Sequence, residues 1–207
     1  MIVLKHLLYA YAALFAITNP IGAVPVFLSV THGISLQDRV RIAKKVMITV
    51  LLTLITFALI GEWIFSFFGS SVDAFSIAGG ILLFRMALDM LSGQISKVKM
   101  SEEEAEEITL EDIAIIPLAI PLISGPGAIT TVMLYMAKST TVVEKSMVLL
   151  AILLVSITTY LILLSADRVE KKLGKVGIKV LTRMMGLILA SIAVQMVING
   201  IKGAFNL

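Results

Sequence analysis

Six stretches of this chain stay apolar for the roughly 20 residues that a helix needs to cross a lipid bilayer. They run about Leu7 to Thr31, Val46 to Phe68, Val72 to Gly93, Ile113 to Ala137, Ser146 to Ala166 and Leu181 to Gly200. The expected fold is therefore all-α and integral to a membrane. Composition leaves little room for anything else. Of 207 residues, 58% are hydrophobic and 15% charged, where a soluble domain carries about 25% charged residues. There is no cysteine, which excludes disulfides, thiolate nucleophiles and Cys-based metal sites. Two histidines are too few for a His-rich metal site, and a net charge of +3 calls for no nucleic-acid partner. The N-terminal run has one lysine before it and no small-residue cleavage site, so it reads as a retained span rather than a signal peptide.

Two of the spans are interrupted. The first contains Thr18-Asn19-Pro20-Ile21-Gly22 and the fourth contains Ser124-Gly125-Pro126-Gly127. Proline removes a backbone donor and clashes with the preceding turn, while glycine is permissive in φ and ψ. Asn19 precedes a proline and is expected to be extended. A break inside hydrocarbon is tolerated only where the freed backbone groups meet protein, water or a ligand. Spans one and four are thus expected to be discontinuous. The alternative is a pair of proline kinks that only help six helices pack.

Pro126 follows Pro20 by 106 residues, and the same offset recurs. It carries Ser35 and Asp38, spaced as a helix-capping box, onto Thr141 and Glu144. Gly80-Ile81-Leu82-Leu83 falls on Gly186-Leu187-Ile188-Leu189, and Met90 on Met196. This register reads as an internal duplication. Residues 1–93 and 113–207 form two three-span repeats, joined by an acidic linker at 94–112 that contains Ser101 and Glu104 at cap spacing. An odd number of spans per repeat inverts the second repeat, an arrangement found in many secondary transporters. Eleven lysines and arginines lie in the loops after spans one, three and five, against four on the other face. The basic face is expected to be cytoplasmic, with both termini outside.

Each broken span offers two half-helix ends near mid-membrane. The second half-helices are expected to begin at Gly22 and Gly127 with unpaired N–H groups, and the first to end near Ile17 and Ile123 with unpaired carbonyls. A zwitterion presents a carboxylate and an ammonium at that separation. Thr18, Asn19, Ser124, Thr130 and Thr131 add neutral hydrogen-bonding groups, and Gly22, Ala23, Gly125, Gly127 and Ala128 keep the backbone accessible. No charged side chain sits at either break, which favours a neutral or zwitterionic solute. Arg85 and Asp89, four apart in span three, share a helix face and can pair. They are candidates for coupling or gating, against a purely structural pair. The reading leans to protons as coupling ion, with sodium kept open.

The stretches Leu14 to Phe27 and Ile120 to Thr130, together with Gly79-Gly80-Ile81-Leu82 and Ala87-Leu88-Asp89-Met90, resemble the MarC family. That family includes SnatA-type neutral amino acid transporters. The resemblance covers nearly the whole chain and implies a six-span inner-membrane protein that carries glycine, alanine and similar small amino acids, without a cofactor. A channel or efflux protein for another small neutral solute is the competing reading. An enzyme is not expected: the chain has no His-Glu-x-x-His and no Gly-x-Ser-x-Gly.

Overall fold

A computed structural model describes residues 2–31, 33–92 and 114–205. The linker expected at 94–112, with its Ser101–Glu104 cap, lies outside the described residues. Among the described residues the chain is helical throughout: α1 (Ile2–Thr18), α2 (Pro20–Val30), α3 (Leu36–Phe67), α4 (Val72–Ser92), a π-helix π1 (Ala114–Ile123), α5 (Pro126–Lys138), α6 (Val142–Leu164) and α7 (Ala166–Phe205). Among the described residues, five segments are long and apolar enough to cross a membrane: Leu4–Leu28, Leu36–Phe67, Val72–Ser92, Val142–Leu164 and Val176–Phe205. The fourth expected span is instead the two shorter pieces π1 and α5.

Local chemistry sets the boundaries. The Ser35 hydroxyl accepts from the Asp38 N–H and starts α3 at Leu36. Thr141 and Glu144 form a reciprocal capping box at the start of α6, the side chain of each bonding the other's backbone N–H. Pro20 and Pro126, not Gly22 and Gly127, open α2 and α5. Proline suits the first helical position, because its missing N–H would have no helical acceptor there and its fixed φ is already helical.

Two features depart from expectation. The first half of the fourth span is a π-helix, with the Ser124 N–H bonding the Ala119 carbonyl 2.9 Å away. Pro117 and Pro121 lack the N–H groups that an α-helical ladder needs, and the wider turn is built around the gaps. The basic segment after span five, expected as a loop, is helical and continuous with α7 apart from one break. Gly174 provides that break at φ 64°, a left-handed conformation suited to glycine.

The helices pack in matching pairs. α4 lies along α7, and α3 along α6. α1 packs on α6 and π1 on α3; α2 packs on α7 and α5 on α4. Glycines set the approach of α4 to α7. A Cβ on Gly80 would lie 2.8 Å from the Ala193 carbonyl oxygen, and one on Gly186 would lie 3.1 Å from that of Ala87. Gly79 is pressed so closely to the Pro126 ring that no Cβ fits between them. This contact fixes the start of α5 against α4. The core runs through the centre of the bundle, with Leu14, Phe27, Leu54, Ile123, Ile152 and Met90 almost wholly buried.

Candidate functional site

The two breaks meet inside the bundle. Asn19 ends the α1 ladder through its N–H to the Phe15 carbonyl and begins α2 through its own carbonyl, which accepts from Ala23. Between these two helices its φ is 44°, left-handed rather than extended. Asparagine tolerates that region better than most residues. The conformation also swings the amide over the start of α2, where Oδ1 accepts the Gly22 N–H at 3.1 Å. Asn19 is therefore the N-cap of α2, which overrides the extended preference of a residue before proline. The other end of the amide is left over: Nδ2 is buried and has no hydrogen-bond partner.

The second break lacks such a cap. Gly125 precedes Pro126 and caps with backbone alone, its carbonyl accepting from Ala128 and Ile129. The Gly127 N–H, second in α5, has no acceptor within its helix. Of the bare N–H groups expected at both breaks, the one on Gly22 is occupied by Asn19. Gly127 keeps its own, and Nδ2 of Asn19 supplies a second donor.

Between the breaks lies a cavity of about 10 Å³, room for one water molecule. Asn19, Gly125, Gly127 and Ala128 line it, so the structure brings these four of the expected residues together. Gly22 and Ala23 are buried behind Asn19 in α2. The hydroxyls are turned away. Thr18 donates to the Leu14 carbonyl (2.8 Å), Ser124 to Ala119 (2.7 Å), and Thr130 and Thr131 both to Gly127 (3.1 and 2.7 Å). Their protons are thus committed to helix carbonyls. Arg85 and Asp89 do not reach the cavity; Arg85 is exposed and no ion pair joins the two.

The apolar lining was less obvious than the polar one. Ile17 and Ile123, and Leu83 and Leu189, face the same cavity, together with Met196. The signal for them is the repeat, because each of these pairs is separated by 106 residues, as are Asn19 and Gly125. The lining is thus mostly apolar, with the Asn19 side chain and the Gly125 and Gly127 backbone as its polar part.

Comparison with known proteins agrees with the fold. Residues 4–205 match the model of the MarC family integral membrane protein. A UPF0056 membrane protein of Pyrococcus abyssi is 60% identical over 205 residues, 99% of this chain and 98% of its own. The UPF0056 membrane protein YvbG of Bacillus subtilis is 37% identical, covering 97% of this chain and 96% of its own. YhcE of Escherichia coli is 32% identical, covering 94% and 91%. No solved structure matches. With the family model spanning nearly the whole chain, this protein belongs to the MarC family of integral membrane proteins.

Proposed function

We propose that the chain is a secondary transporter of small neutral amino acids, working by alternating access across the cell membrane. Glycine and alanine are the proposed substrates, with serine and threonine at the upper limit of size. The observation that carries this reading is the buried, unpartnered Nδ2 of Asn19, a residue that lines the cavity shared by the two helix breaks. An unsatisfied buried donor costs about 1–3 kcal/mol, and a substrate carboxylate meeting Nδ2 and the Gly127 N–H would recover that. Apolar side chains and the Gly125 and Gly127 backbone close in around the cavity and limit the solute to a small one.

We further propose a carrier of two inverted three-helix repeats, residues 1–93 and 113–207, with six spans, and the basic bias of the loops puts both termini outside. The packing pairs described above exchange under the 106-residue offset, and so do the contacts of Gly80 with Ala193 and of Gly186 with Ala87. A cavity with room for only one water molecule favours a carrier over an open pore.

The test is glycine uptake into proteoliposomes holding the purified protein, with imposed proton or sodium gradients. The expected outcome is saturable accumulation driven by protons. Flux that neither saturates nor responds to any gradient would favour a channel, and no glycine flux at all would remove the substrate.

A further inference from the structure

One mouth of the bundle is tied shut. On the basic face, Arg39 at the start of α3 forms an ion pair with Asp167 at the start of α7. Its Nε also donates to the Thr31 carbonyl, 3.2 Å away, beyond the end of α2. Three segments are thereby joined at one point, next to the buried Phe27, whose carbonyl accepts from the Thr31 N–H and hydroxyl. Arg39 is only 15% exposed and Asp167 29%. Such a pair is less screened than a surface one.

The 106-residue offset carries these four residues to the opposite face. Arg39 maps to Lys145, Asp167 to Gly61, Thr31 to Ala137 and Phe27 to Met133. All four counterparts line one crevice of about 470 Å³, with Glu62 and Trp63 at its rim. At the position of the aspartate there is a glycine, so Lys145 has no equivalent acid to hold. Glu62 lies one residue along, yet no ion pair joins it to Lys145. The same place in the two repeats is therefore bridged on one face and open on the other.

We propose that the Arg39–Asp167 pair is a latch that holds the basic mouth of the carrier closed while the crevice at Gly61 forms the opposite, open mouth. This rests on the alternating-access reading given above. In a carrier built from two equivalent halves, the mouths are interchangeable except where the sequences differ. The acid at 167 is such a difference, and it biases the resting protein toward one conformation. Removing it takes away contacts made in that conformation alone, so the population moves to the other.

The chain has no cysteine, so single-cysteine reactivity reads each mouth cleanly in purified, detergent-solubilised protein. Ala137→Cys reports on the crevice, which Ala137 lines as an exposed residue and as the counterpart of Thr31. Thr31→Cys reports on the latched mouth, where Thr31 is fully buried. With a charged methanethiosulfonate reagent, the Ala137→Cys protein should react readily and the Thr31→Cys protein slowly. Adding Asp167→Asn should slow labelling of Ala137→Cys by at least about fivefold and speed labelling of Thr31→Cys by a similar factor. The exchanged pair Arg39→Asp with Asp167→Arg should return both rates toward the parent values. Unchanged rates in Asp167→Asn would overturn the latch. So would a rise at both positions, which would make the pair a bridge that merely holds the fold. Glycine takes no part in these measurements. Opposed shifts without glycine uptake by the parent protein would keep the latch and remove the substrate, while uptake with unmoved rates would remove the latch alone.

Discussion

The backbone of Gly127 lies against the side chain of Ile17, so that a Cβ on the glycine would fall 2.9 Å from Ile17 Cγ1. One residue ends the first half of one broken span, and the other begins the second half of its counterpart. Met196 Sδ closes the third side at 3.2 Å. Gly127→Val would push two methyl groups into this contact, beside the only bare N–H of the α5 start. Glycine transport should be lost while the protein stays inserted and monodisperse. Ala128→Val, one residue along, should be milder. Uptake assays on the two variants side by side, with size-exclusion profiles, check this.

Gly79 faces a harder wall. The Pro126 ring occupies the space where a Cβ would go, and a ring on a helix start cannot swing aside as Ile17 can. Gly79→Ala should lower thermal stability more than Gly127→Ala does, by roughly 1–3 kcal/mol as for an overpacked core. Melting of both variants in one detergent compares them directly.

Arg85 and Asp89 stand apart from the cavity and from each other. Arg85→Gln and Asp89→Asn should leave the affinity for glycine within about twofold of the parent, the spread of an ordinary surface change. A tenfold loss in equilibrium binding by either variant would bring that residue back into the site.

Orientation rests on the basic bias alone. A cysteine placed at Lys172, on the basic face, should be shielded from impermeant thiol reagents added to intact cells, whereas one placed at Thr140 should be labelled. The reverse pattern would invert the topology.

Much of this arrangement can be read from residue types. The prolines mark where the two spans break, although the half-helices begin at Pro20 and Pro126 themselves and not at Gly22 and Gly127, because proline suits the first helical position. Ser35 and Thr141 mark two helix starts by their spacing to Asp38 and Glu144. The 106-residue offset names the apolar residues that face each other at the cavity. What could not be read depends on where one group's geometry answers another's. The left-handed Asn19 follows from its capping bond to Gly22, not from the proline after it. Whether a threonine hydroxyl faces a ligand or turns back to its own helix depends on its rotamer, and Thr18, Thr130 and Thr131 all turn back. The π-helix needed two prolines to act together on one segment. The unequal mouths emerge only when Arg39 and Asp167, 128 residues apart, are seen to meet.

The central claim is that the break holds the solute through Asn19, and equilibrium binding of radiolabelled glycine to purified protein tests it most directly. The parent protein should bind saturably, with alanine competing and tryptophan and arginine failing to compete. Asn19→Ala should weaken binding by about 1–3 kcal/mol, the range for a buried hydrogen bond lost on one side. Thermal stability should fall only by what the lost α2 cap accounts for, typically about 1 kcal/mol. Glycine affinity in correctly folded Asn19→Ala equal to that of the parent would contradict the account and reduce the two breaks to proline kinks that pack helices.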